Sequence, residues 1–111
     1  MIHKGQKILC CCRGGQVRSV AARKLLSEDW GFRKVLTCGL EKNDYETIRF
    51  LVDWADAVLV VASQEVFKLF PESLRSDKVQ FLEVGPDVWG WHKHPELTRK
   101  IGDLLERIVQ Q

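Results

Sequence analysis

Asp56-Ala57-Val58-Leu59-Val60-Val61-Ala62 sets the tightest limit on how this chain folds. The residues after Asp56 are continuously apolar and rich in valine. A run this short, without alternation, is the pattern of a strand covered on both of its faces. Coverage on both faces requires helices above and below a sheet. The run is also the longest apolar stretch in the sequence. It falls far short of the roughly 20 residues needed to span a bilayer, so no membrane association is expected.

The rest of the chain supplies the helices and the other strands. Ile8-Leu9-Cys10-Cys11-Cys12 is a short apolar run stopped by Arg13-Gly14-Gly15, which predicts a buried strand and a glycine turn. Arg18 to Asp29 carries Val20, Ala21, Lys24, Leu25 and Glu28 at helical spacing, with Trp30-Gly31 as the stop. Lys34 to Cys38 is a second strand ended by Gly39. Asp44 caps a helix reaching Trp54, with Tyr45, Ile48, Leu51 and Val52 along one face. Ser63 caps a helix running to about Phe70, before Pro71, and Ser73 to Arg75 adds a turn. Val79 to Val84 is a fourth strand, Gly85 to His94 a loop, and Pro95 opens a last helix. That helix carries Leu97, Ile101, Leu104, Leu105 and Ile108 on one side. Strands alternating with helices predict an α/β fold: a single domain over residues 1–111, with a four-stranded parallel sheet and helices on both faces.

With 45% hydrophobic and 29% charged residues the chain is neither disordered nor a strongly basic nucleic-acid binder. Its charge is uneven. Residues 1–50 hold ten Lys/Arg against five Asp/Glu, and residues 51–111 hold seven against ten. The first half is therefore the half suited to an anion. Three of the four cysteines are consecutive, Cys10 to Cys12. That placement excludes a disulfide-stapled scaffold and does not match zinc-ligand spacing. His92 and His94 form a lone His-x-His, and no metal or cofactor is expected. The polar opening Met1–Lys7 predicts no secretory signal, hence a cytoplasmic protein.

The chemistry is concentrated in Cys12-Arg13-Gly14-Gly15-Gln16-Val17-Arg18-Ser19. A loop this short with two glycines can turn successive backbone N–H groups inward, and the following helix adds its positive end. Such a nest suits a tetrahedral dianion and favours the thiolate of a cysteine at its base. Arg18 can fold back and grip two phosphate oxygens in a bidentate fork, which lysine cannot do. Ser19 can donate a hydrogen bond to the sulfur. Cys10 and Cys11 are expected to be small buried strand residues, and Cys38 a structural one.

This segment resembles the phosphate loop of the low-molecular-weight protein tyrosine phosphatases, roughly V-C-x-G-N-x-C-R-S after the first strand. Cys12, Gly14, Arg18 and Ser19 fall on that pattern, while Gly15 stands where the family has Asn and Val17 where it often has a second cysteine. Asp53-Trp54-Ala55-Asp56-Ala57-Val58-Leu59-Val60 looks like the corresponding stretch of short bacterial members. The resemblance covers most of the chain. It implies that fold and a cysteine-dependent phosphomonoesterase acting through a cysteinyl-phosphate. Cys12 would be the nucleophile, and residues Arg13, Gly14, Gly15, Gln16, Val17, Arg18 and Ser19 would hold the phosphate. Asp87, in Gly85-Pro86-Asp87-Val88-Trp89, would be the general acid; the family's usual order is Asp then Pro. The implied partner is a phosphotyrosine-bearing protein or a small aryl phosphate.

Several alternatives stand beside this. Trp89 and Trp91 either wall the site or pack the loop onto the last helix. Arg13 faces an acidic partner or water. Without a cysteine at Val17 the nucleophile is either unprotected against overoxidation or guarded by Cys38 or Cys11. A phosphate- or phosphoprotein-binding module without turnover fits the same loop. An arsenate reductase-like enzyme shares the fold but needs a relay of later cysteines, and none follows Cys38. A sugar-phosphotransferase component carries a strand-end cysteine but lacks the loop arginine.

Overall fold

In the computed structural model, which describes residues 1–86 and 88–110, four strands form one parallel sheet. The strands are β1 (Lys7–Cys12), β2 (Lys34–Gly39), β3 (Ala57–Ala62) and β4 (Val79–Glu83), in the order β2-β1-β3-β4. The helices are α1 (Arg18–Asp29), α2 (Tyr45–Trp54), α3 (Gln64–Phe67) and α4 (Pro95–Ile108), with a short 3-10 turn at Glu72–Leu74. Every residue of β3 is buried, as its unbroken apolar run requires.

Two cores lie on the two sides of the sheet. Ile8, Cys10, Leu59 and Val61 pack with Ala22 and Leu26 of α1 and with Leu97, Ile101 and Leu105 of α4. Leu9, Cys11, Val58 and Val60 pack with Ile48 and Val52 of α2 and Val66 of α3. The alternation along β1 and β3 thus divides their side chains between the two layers. Each face buries its own apolar set, so a one-residue slip in register would exchange the sets.

Local signals explain most boundaries. Asp44 caps α2 by accepting the Thr47 N–H at 2.9 Å, and this hydrogen bond holds its carboxyl below the ordinary value. Ser63 caps α3, accepting from Val66 N at 3.4 Å. At α4, His94 Nδ1 accepts from Glu96 N at 3.2 Å, and Pro95 occupies the first turn. Gly31 closes α1 at φ +74°, with Phe32 N bonding back to Leu26 O at 2.9 Å.

Two expectations need correction. The helix from Ser63 does not reach Phe70. It ends at Phe67, and Leu69 and Phe70 turn through tighter bonds to Val66 O and Phe67 O. Pro71 disfavours helical backbone at the residue before it, and the turn drops Phe70 into the core at 1% exposure. Tyr45 does not join the buried face of α2; it is exposed, with its hydroxyl 3.0 Å from Ser73 Oγ. The buried face of α1 is Arg18, Ser19, Ala21, Ala22 and Leu26, while Val20 and Leu25 are only partly covered.

Candidate functional site

The chain passes from β1 to β2 on one side of the sheet and then crosses to β3 on the other side of β1. In open α/β sheets such a reversal leaves a crevice at the carboxyl ends of the two strands. Cys12 is the last residue of β1 and therefore stands at that crevice. Among the described residues, no other cysteine ends a central strand.

Two hydrogen-bonding groups meet the Cys12 sulfur. The Gly15 N–H donates to Sγ at 3.1 Å, and the Cys12 thiol donates to Ser19 Oγ at 3.2 Å, the reverse of the expected direction. Ser19 is fully buried, and Cys12 is 2% exposed. The sulfur is therefore reached only by a group that seats within the loop. Arg18, Ser19 and Val20 open α1, and no acidic side chain occupies that first turn to compete with an anion.

The loop is held from beneath by β2. Leu40 N donates to Cys12 O at 2.8 Å, and Glu41 N donates to Arg13 O at 2.9 Å, extending the strand pairing past its end. Gly15 adopts φ +72°, a region that glycine enters freely and that asparagine tolerates best among other residues. A Cβ on Gly15 would meet Gly39 N at 2.7 Å, and a Cβ on Gly39 would meet Gly14 C and O at 2.6 Å. The two backbones touch because neither residue carries a side chain.

Arg18 is 1% exposed, and its Nη1 donates to Gly85 O at 3.0 Å. The guanidinium therefore links the Cys12 loop to the segment that follows β4. Asp87, expected as the acid, lies outside the described residues. Arg13 pairs within the chain, a contact neither alternative foresaw: its Nε is 3.4 Å from Glu41 Oε1, with both side chains about half exposed. Such a pair contributes on the order of 0–1 kcal/mol. Gly14 is half-buried, Gln16 is exposed, and Val17 packs partly against the α1–α4 core.

Trp89 follows the packing alternative. It leans on the α1–α4 core, its ring stands edge-on to His94 at 5.1 Å, and Lys100 of α4 lies 5.5 Å from its centre. Trp91 is exposed. Cys10 and Cys11 are fully buried strand residues, as expected. Burial pushes the Cys10 thiol up to about 12. Cys11 is raised well above the ordinary thiol value, first by its hydrogen bond to Cys38 and then by burial, and the same bond lowers Cys38.

Sequence reasoning missed two participants. Gly39 was visible only as a strand stop, whereas its packing role depends on Gly14 and Gly15. Gly85 was visible only as a loop residue, and nothing local marks it as the acceptor for Arg18. Two clefts of about 630 and 620 Å³ lie at the other end of the sheet, along His3, Lys4, Trp30 and Arg33. No cysteine lines either of them. Compared with known proteins, the chain matches no family model, no curated protein and no solved structure.

Proposed function

We propose that this protein is a cysteine-dependent phosphomonoesterase of the low-molecular-weight tyrosine phosphatase type, acting on aryl phosphates, with protein phosphotyrosine as the natural class. The observation that carries the reading is the convergence on Cys12 Sγ of the Gly15 N–H and the Ser19 hydroxyl, in a loop that feeds directly into α1. The N–H donor suits a sulfur that must carry negative charge, first as nucleophile and later as leaving group, and the Ser19 hydroxyl, which accepts from the thiol, would turn to donate to the thiolate.

In the proposed reaction Cys12 Sγ attacks phosphorus in line with the leaving oxygen. The S–P bond forms as the P–O bond to the alcohol breaks. Loop N–H groups and the Arg18 fork hold the equatorial oxygens. Asp87 is the proposed acid for the leaving oxygen and then the base for the water that releases inorganic phosphate. In support, Gly85, two positions before Asp87 in the sequence, is tied to Arg18.

Hydrolysis of p-nitrophenyl phosphate tests the reading. Cys12→Ser is expected to lower turnover by about three orders of magnitude or more. Arg18→Lys keeps the charge and loses the fork, and is expected to lower kcat/KM by about 10²–10³-fold. Activity surviving in Cys12→Ser would remove the nucleophile. A wild type that binds vanadate and never turns over would make the loop an anion-binding module.

A further inference from the structure

Two thiols take no part in that chemistry and lie directly against each other. Cys11 of β1 and Cys38 of β2 are register partners in a parallel pair. Side chains at such paired positions leave the sheet on the same side, and both belong to the core under α2 and α3. Cys10 belongs to the opposite core, and alternation along β1 directs Cys12 away from the Cys11 side. Neighbouring strands lie about 4.7–4.9 Å apart. That spacing is within the roughly 4.4–6.8 Å Cα separation that a disulfide spans. All four cysteines are free thiols here.

The two sulfurs are already organised. Cys38 Sγ lies 3.9 Å from Gly39 O, to which the thiol donates. Asn43 Nδ2 lies 3.7 Å from Cys38 Sγ and donates a shorter bond to Gly39 O at 2.8 Å.

We propose that Cys11 and Cys38 form a redox-active dithiol, which a hydroperoxide closes to an intrachain disulfide and a thiol reductant reopens. Cys38 is the attacking sulfur. Its thiolate takes the terminal oxygen of the peroxide; an S–O bond forms, the O–O bond breaks, and hydroxide or alkoxide leaves. Cys11 then attacks the sulfenic sulfur. The S–S bond forms, the S–O bond breaks, and the departing hydroxyl leaves as water with the Cys11 proton. Two electrons pass from the pair of thiols to the peroxide.

The roles follow from the surroundings: Asn43 Nδ2 approaches Cys38 Sγ at 3.7 Å, and the interaction between the two thiols lowers Cys38 and, with burial, raises Cys11. Burial of both residues restricts the oxidant to a small peroxide. The crosslink would join the residue before Cys12 to the residue before Gly39, on which the Cys12 loop rests. The proposal does not depend on the phosphatase reading, because it is tested by mass and not by turnover.

The full chain is treated with near-stoichiometric hydrogen peroxide, alkylated, and mapped by mass spectrometry without reduction. The expected product has lost two hydrogens, leaves two of its four thiols alkylatable, and joins the Ile8–Arg13 peptide to the Val35–Lys42 peptide. Fragment ions of the wild-type product place the bond at Cys11, so the result does not hang on a variant that folds poorly. Cys10→Ala/Cys12→Ser should form the same link, Cys38→Ala should not, and dithiothreitol should restore all four wild-type thiols. A bond from Cys38 to Cys10 or Cys12 would overturn the proposal. So would a Cys12 oxidised to sulfinic acid while Cys11 and Cys38 both remain alkylatable.

Discussion

At Gly15 a methyl group would have to be carried on backbone at φ +72° and would press against Gly39 N at 2.7 Å. At Gly14 the same methyl group would meet nothing within 4 Å. Two adjacent glycines therefore have opposite tolerance. Gly14→Ala is expected to change stability by less than about 0.5 kcal/mol. Gly39→Ala, which would drive a methyl group into Gly14 C and O at 2.6 Å, is expected to cost about 1–3 kcal/mol. Urea unfolding of the two variants checks both, and equal midpoints would show that the loop does not rest on β2. The Gly-Gly pair was legible as a turn because turn chemistry is local. Which glycine touches another strand was not, since the contact is made by residues distant in the chain. Cys12 and Arg18 were legible for the opposite reason: their spacing within one strand–helix junction is itself the constraint. The engagement of Arg18 with Gly85 bridges 67 positions and leaves no trace in the spacing.

Helix α2 shows the same division at the scale of an element. Its start is a local signal, Asp44 accepting from Thr47 N, and could be placed from the sequence. Its end is held by Lys78, which lies 26 and 23 positions beyond the carbonyls it serves. Lys78 Nζ donates to Val52 O at 2.6 Å and to Ala55 O at 2.9 Å. The ammonium supplies donors to the terminal carbonyls of the helix and complements its negative end. Lys78→Met keeps most of the side-chain length and removes both bonds. It is expected to destabilise the protein by about 1–3 kcal/mol. The same change at exposed Lys42, for which no such bonds are made among the described residues, is expected to stay within about 0.5 kcal/mol. Thermal unfolding of the pair is the comparison, and equal losses would leave Lys78 an ordinary surface cation. The shortened α3 belongs here as well. Pro71 was a visible stop, but the earlier exit at Phe67 is dictated by burial of Phe70, which depends on the core it enters.

For the molecule as a whole, the parallel sheet, its four strands and its helical cover on both faces were legible from one unbroken apolar run and the alternation around it. The strand order was not, because hydropathy says which strands are covered and nothing about which are neighbours. That order sets β1 between β2 and β3, paired on both edges. Near the chain ends, Ile2 N bonds Ile108 O at 2.7 Å and Gln110 N bonds Ile2 O at 2.6 Å, an isolated bridge beyond the sheet. The two features differ in how long they persist. Amide hydrogens of Leu9, Cys10 and Cys11 are expected to exchange with solvent deuterium only through global opening, while those of Ile2 and Gln110 exchange through local fraying. Exchange followed residue by residue would check this, and early loss of protection in β1 would contradict it. The Cys12 sulfur hangs from the end of the strand expected to open last. Cys12 thus keeps its place through the brief partial openings that loosen the ends of the chain, and its fidelity is measured in the lifetime of the folded state.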